Sequence, residues 1–439
     1  MSKPMLGLLV AVCWGGITVA QDRETKVRGD RTKIESQRYW IYNDLDSGLE
    51  LARQTRKPAL VVLRCIPCEH CAQLDERVVE QDPVVQSLLD QFLCIRIVHA
   101  NGLDLSLFQY DYDQSWAAFF LNADRTIYGR YGTRSHQTES DDDVSLEGFA
   151  EALRGALELH RQFPAVKAQL AAKQGPPSKV KVPEEFPSLK GKYGSKLNYD
   201  GKVVQSCIHC HQVGEAWRLV ARDTGETGAD RVLYPYPHPK SLGFIMNPKE
   251  RARVDSIVPG SLAEQSGFLA GDDLLVMQGQ PLLSLADIQW VLHHTGSAGT
   301  VPVAIRRKGQ EQNLELRLPS GWRQLGDISW RATSWDLRRM VTGGLLFEEI
   351  PTEERSQSGL TGAMPGLRIK HVGQYGAHAA GKRAGFLKDD VLIEVEGQAA
   401  PPTESLLLTQ LFRSKRPGES VAMTVLRGGK RVSLQLPIQ

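Results

Sequence analysis

The sequence predicts a multidomain chain of mixed α/β and α+β class, and three observations carry that expectation. Strand-like and helix-like stretches alternate from about residue 35 to 163, a lone Cys-x-x-Cys-His run follows, and the last half repeats itself. The 439 residues suffice for about three or four domains, each with its own core.

The N-terminus reads as an export signal over residues 1–20. Lys3 supplies positive charge, Met5 to Ala20 is apolar, and Thr18-Val19-Ala20 puts small residues before the polar Gln21-Asp22-Arg23. No second apolar run of spanning length follows, so no membrane span is expected after cleavage. The expected destination is periplasmic or otherwise extracytoplasmic in a bacterium. A formal net charge of +2 argues against nucleic acid and against anionic membrane surfaces as partners. Of the 7 cysteines, Cys13 leaves with the signal. The other six are too clustered for a disulfide scaffold in a chain long enough to build ordinary cores.

In the first domain, 35–163, Leu49 to Thr55 is helical and Lys57-Pro58 leads into the apolar strand Ala59 to Leu63. Leu74 to Leu89 has helical spacing, and Phe92 to Val98 is a second strand. Ala117 to Leu121 and Thr126 to Tyr128 follow as strands, and Asp141 to Ser145 can cap a helix ending near Arg161. That order gives a β/α sandwich. Cys65, Cys68 and Cys71 follow the first apolar strand, and Gln73-Leu74-Asp75 continues into the helix.

These residues resemble the exported branch of the thioredoxin-like superfamily. The resemblance implies a redox pair at Cys68 and Cys71, the first cysteine lying at a helix N-terminus where the dipole stabilises a thiolate. Cys65 makes Cys65–Cys68 a competing pair. Trp116 stands where that family keeps a cis-proline, and its indole could narrow access to the sulfurs. Two other readings remain open: an inert structural disulfide, and a metal or copper-handling site built from Cys65, Cys68, Cys71 and His70. Cys94, inside an apolar strand, reads as a core thiol.

Residues 164–202 are rich in Pro and Lys and read as a surface linker, followed by a short helical segment, 203–240. There Cys207-Ile208-His209-Cys210-His211 is a c-type haem attachment signature. On one helical turn both thiols could bond a single porphyrin, with His211 as proximal iron ligand; the expected cofactor is haem c (heme c). Met246, His238 or an open position could complete the iron's coordination. A zinc site would need further cysteines after Cys210, and none follow.

In the last half, Gly267-Phe268-Leu269 recurs as Gly385-Phe386-Leu387, Gly279-Gln280 as Gly397-Gln398, and Leu318-Pro319 as Leu436-Pro437, all offset by 118. Both copies resemble PDZ domains, at 241–319 and 340–439, joined by a Trp-rich connector (320–339) read as interdomain packing. The resemblance places a carboxylate-binding loop at Leu242, Gly243 and Phe244, with Gly343 to Phe347 as a weaker counterpart. It implies binding of protein C-termini or extended peptides. No serine-protease nucleophile turn is found. The leading expectation is an exported haem-c-binding electron-transfer or thiol-redox protein, a possible thiol-disulfide oxidoreductase with a redox partner protein. The competing one is a PDZ scaffold on a redox-inert thioredoxin fold.

Overall fold

The computed structural model describes residues 15–36, 40–64, 82–114, 116–136, 142–225, 229–362 and 364–439. Helix α1 (Gly15–Ser36) lies against the first sheet. Its Asp30 carboxylate is 2.8 Å from the Arg96 guanidinium and 3.8 Å from that of Arg64. Glu24 accepts hydrogen bonds from the N–H groups of Val203 and Val204. No described helix is long and apolar enough to cross a membrane. Residues 1–14, the greater part of the expected export signal, lie outside the described residues.

The first body runs β1 (Trp40–Tyr42), α2 (Leu45–Thr55), β2 (Ala59–Arg64), α3 (Pro83–Leu89), β3 (Leu93–Ile97), β4 (Trp116–Leu121), β5 (Ile127–Tyr131) and α4 (Leu146–Arg161). Its five-stranded sheet has the order β1-β3-β2-β4-β5, with β1, β3 and β2 parallel and β4 and β5 antiparallel. The helices start where short polar side chains accept from their first free N–H groups: Asp44 for α2, Asp82 for α3 and Ser145 for α4. Alternation sends Leu60, Val62 and Phe120 to the face covered by α3 and α4, and Val61, Leu63 and Phe119 to the face covered by α2. This is a thioredoxin-like mixed sheet.

The stretch 164–202 is not a loose tether. Phe186 and Leu189 are buried in the α2-side core, and Lys173 is fully buried. Next comes α5 (Cys210–Thr224), whose Val213 and Ala216 pack on that same core. The CxxCH segment is therefore part of the wall of the first body.

Two further bodies follow. The first contains β6 (Phe244–Met246), β7 (Val254–Ile257), β8 (Asp273–Met277), β9 (Gln280–Pro281), α6 (Leu285–His294), β10 (Gly299–Arg307) and β11 (Gln310–Leu318). β6 pairs with β7, and the other strands form a sheet of order β11-β10-β8-β9. After α7 (Ser334–Thr342), the second contains β12 (Leu345–Glu349), β13 (Leu367–Val372), β14 (Val391–Val395), β15 (Gln398–Ala399), α8 (Glu404–Ser414), β16 (Ser420–Arg427) and β17 (Lys430–Pro437). The repeat extends to single interactions. Arg307 bonds the Asp272 carboxylate and the Gly267 carbonyl, while Arg427 bonds Asp390 and the Gly385 carbonyl. Both bodies are PDZ-like antiparallel folds with the same order of elements.

Candidate functional site

Cys65, Cys68, Cys71 and His70 lie outside the described residues. The strand that feeds them is described: β2 ends at Arg64, one residue before Cys65. Trp116 faces Arg64 across the β2–β4 pair, but its ring is buried edge-on against Tyr131 and Phe149 in the core. Cys94 is a buried core thiol, and burial pushes its pKa well above the ordinary range.

The second cysteine motif docks at this same edge. β2 and β3 are parallel, so the loop after β3 leaves the sheet on the side where the chain leaves β2. In that loop Ala100 donates its N–H to the Ile208 carbonyl (2.9 Å), and the Asn101 side chain accepts from Ile208 N–H (2.8 Å) and donates to the Ser206 carbonyl (2.9 Å). Ile208 is thereby fixed and fully buried.

The geometry of Cys207 to His211 departs from the helical turn that haem attachment was expected to use. Cys207 and His209 have extended backbone, and the helix begins only at Cys210. Cys207 is buried, its Sγ against the Ile208 carbonyl. The Cys210 Sγ accepts a 3.0 Å hydrogen bond from the Tyr110 hydroxyl, within an aromatic group that includes Tyr112 and Phe119. Both thiols are free. Burial pushes the Cys207 pKa up to about 12, helped by negative charge on Cys210; burial also raises Cys210, opposed by the Tyr110 hydroxyl and by its own backbone N–H. His211 stacks on His209 with 5.5 Å between ring centroids. Burial, then the neighbouring His211, holds His209 down to about 4.

A covalently held porphyrin needs both sulfurs and the imidazole at one open face. Here Cys207 is buried against the Ile208 carbonyl and Cys210 is half-buried on the thioredoxin-like core beside Tyr110, so the residues as folded do not fit that group. The candidates for the opposite iron ligand are committed elsewhere. Met246 is in the core of the first PDZ body, and His238 lies 3.6 Å from the Asp143 carboxylate. No group of three or more metal-ligating side chains occurs among the described residues.

The proposed carboxylate-binding loop is a tight turn ending at Gly243, with φ +96°. A Cβ there would sit 2.1 Å from the Ser261 side chain, so only glycine fits. Gly344 repeats this in the second copy, where a Cβ would lie 2.0 Å from the His378 carbonyl oxygen. The Gly243 N–H is bonded to the Lys240 carbonyl (3.0 Å), and Leu242, Gly243 and Phe244 are all buried.

The segment before this loop packs along α6, the helix that borders a PDZ peptide groove. Tyr236 stacks on His293 at 4.0 Å, donates its N–H to the His293 ring, and accepts at its carbonyl from Gln289. Gln289 also accepts from the Thr133 hydroxyl, just past β5. At the far end Ser145 donates to the Pro248 carbonyl. Beneath α6, Lys173 and Asp287 form a fully buried ion pair at 2.9 Å, and Arg130 stacks over Trp290. In the second PDZ body the Phe347 N–H on strand β12 is capped by Glu404, which is itself paired with buried Arg338.

His238 belongs to this contact between domains. Burial holds its pKa down to about 4, against the pull of Asp143 and with repulsion from Lys240, Arg331 and His136. A base with a depressed folded pKa is held neutral. Its contribution is complete above the ordinary 6.5 and is lost as pH falls through about 4. Urea unfolding at pH 7 and pH 4.5 is expected to show His238→Gln losing on the order of 2 kcal/mol less than the parent on acidification. Equal losses in both proteins would refute the assignment.

Sequence reasoning missed Tyr110, and it missed the anchor of the connector. Trp322 is buried in the first PDZ core, with its indole N–H on the Gly296 carbonyl. Trp330 packs against the guanidinium groups of Arg134 and Arg331, and Arg331 enters a buried cluster with Asp111 and Asp113. Tyr110 stands 100 residues from Cys210, and Asp111 stands 220 from Arg331. No local pattern signals such pairs.

Comparison with known proteins agrees with this architecture. The thioredoxin-like family profile matches residues 40–123, and the PDZ domain profile matches residues 240–318. A probable periplasmic serine endoprotease DegP-like of Pseudomonas savastanoi pv. phaseolicola is 26% identical over 190 residues, covering 43% of this chain and 37% of that protein. The periplasmic pH-dependent serine endoprotease DegQ of Escherichia coli K12 is 24% identical over 191 residues, covering 44% of this chain and 37% of that protein. The chain thus spans well under half the length of these relatives. It carries a thioredoxin-like domain followed by a PDZ domain, and it is distantly similar to the HtrA/DegP-type periplasmic proteases.

Proposed function

We propose that this chain is an extracytoplasmic thiol-disulfide exchange protein, with Cys68 and Cys71 as the exchanging pair and PDZ modules that engage polypeptide partners. The observation that carries the reading is the mixed five-stranded sheet whose parallel strand β2 runs straight into the Cys65–Cys71 run. In such a fold the first cysteine of the pair attacks a partner disulfide as a thiolate. A mixed disulfide forms, and the second cysteine resolves it, leaving the partner as two thiols. The PDZ fold is a peptide-binding fold, which suits partners that are polypeptides. The periplasmic relatives support a location outside the cytoplasm.

The test is turnover of a polypeptide disulfide by the full-length protein with a small dithiol as regenerant. Cys68→Ser and Cys71→Ser are each expected to lower the rate at least about 100-fold while leaving the folded spectrum unchanged. Full activity in both variants would reject the assignment and favour the scaffold reading.

A further inference from the structure

We propose that Cys207 and Cys210 are a second dithiol, used in exchange with a protein disulfide that reaches the C-terminal edge of the thioredoxin-like sheet, and not a haem attachment site. The inference deepens the thiol-exchange reading above and rests on it only for the identity of the oxidant.

Three observations carry it. The first is the pair itself: two free thiols three residues apart, with a negative charge on one raising the pKa of the other. The second is their unequal setting. Cys207 is buried against the Ile208 carbonyl, whereas the half-buried Cys210 opens a helix of 15 residues and receives the Tyr110 hydroxyl at 3.0 Å. Burial raises both thiols, but only at Cys210 do a hydrogen-bond donor and the helix's own first N–H oppose it, so of the two Cys210 is the attacking atom and Cys207 the resolving one. The third is placement. Ala100 and Asn101 clamp Ile208 at the end of β3, on the edge where β2 releases the chain at Arg64. The motif's histidines do not compete for this role, since His211 stacks on His209.

The step balances as a two-electron exchange. The Cys210 thiolate attacks one sulfur of the incoming disulfide, forming a mixed disulfide and releasing the other sulfur as a thiol. Cys207, losing its proton, then displaces the second sulfur. The pair gives up two electrons and two protons and becomes Cys207–Cys210 disulfide; the incoming disulfide becomes two thiols. Tyr110 acts through Cys210 and is a positioning residue. The oxidant is a protein disulfide, supplied by the chain's own Cys65–Cys71 run or by a separate polypeptide.

The full-length protein is to be equilibrated across glutathione redox buffers, quenched by alkylation and mapped by mass spectrometry. A Cys207–Cys210 disulfide that forms and is lost reversibly is the expected result. Tyr110→Phe should slow alkylation of Cys210 roughly tenfold without altering that of Cys94. In a Cys65→Ser, Cys68→Ser, Cys71→Ser background, oxidation of the pair by an added polypeptide disulfide identifies an external source, and its loss identifies the internal one. The proposal is overturned if both residues remain thiols over the whole redox range. It is equally overturned if protein exported from a host competent in c-type haem attachment carries haem bonded to Cys207 and Cys210. Neither outcome bears on Cys68 and Cys71, whose turnover assay stands apart.

Discussion

Replacing Arg331 with methionine is expected to lower folding stability by about 3–5 kcal/mol, the largest effect of any single change considered. Its guanidinium lies 2.7 and 2.8 Å from the two Asp111 oxygens and 3.1 Å from Asp113, and it donates to the Pro235 carbonyl at 2.8 Å. All three charged side chains are buried. Asp113 accepts further bonds from the Thr333 N–H and hydroxyl. Arg331 helps hold the Asp113 carboxyl below its ordinary range, whereas burial wins at Asp111 and raises it. Without the cation two carboxylates would share a dry site, and one would have to take up a proton. The double variant Arg331→Met, Asp111→Asn should recover part of the loss, because it removes one stranded carboxylate and leaves Asp113 facing the buried Arg218. Urea unfolding followed by tryptophan fluorescence is the measurement. A loss below about 1 kcal/mol in the single variant would mean that the cluster is already neutralised or hydrated. Because Arg331 joins the connector, the thioredoxin-like domain and the segment before the first PDZ body, the single variant should also separate their unfolding transitions.

The second large effect concerns peptide binding. Gln289→Ala is expected to raise the affinity of the full-length protein for peptides with apolar C-termini by about tenfold or more, read by fluorescence anisotropy. Tyr236 now occupies α6 through its carbonyl bond to Gln289, its N–H bond to His293 and its stacked ring. If a peptide added between β6 and α6 competes with Tyr236 for α6, its apparent association constant is scaled down to the fraction of molecules in which Tyr236 has left. Removing the Gln289 amide deletes the bonds to both Tyr236 and Thr133 and shifts that fraction upward. Tyr236 also adopts a left-handed backbone, φ +46°, unusual for a bulky residue and relieved when this segment leaves. Unchanged affinity in the variant would show that peptides do not use this groove. The second PDZ body should stay silent in the same titration, since Glu404 holds the Phe347 N–H that an added strand would need.

Much of the architecture was legible because it is local. The unbroken apolar run Ala59 to Leu63 could only be a strand buried on both faces, and it lies in the middle of the sheet between β3 and β4. Ser145 caps the helix that follows it because its short side chain reaches the N–H three residues on. The repeat was visible because Gly267 and Gly385 must both adopt positive φ, and Asp272 and Asp390 must both receive an arginine from a later strand. The site was less legible. The Pro- and Lys-rich stretch 164–202 has the composition of a linker, yet Lys173 is fully buried because Asp287 of another domain pairs with it.

The sequence by itself determined the elements, the thioredoxin-like and PDZ-like classes, and where cysteines stand in the chain. These follow from periodicity, capping and turn chemistry, which act over a few residues. Only the tertiary structure decided what the cysteines at 207 and 210 meet and what packs against α6 of the first PDZ body. Tyr110 reaches Cys210, and Thr133 and Tyr236 reach α6 of the first PDZ body, through contacts between residues remote in sequence. Burial and hydrogen bonding at such contacts set the chemistry of a thiol, and a five-residue motif carries no record of them.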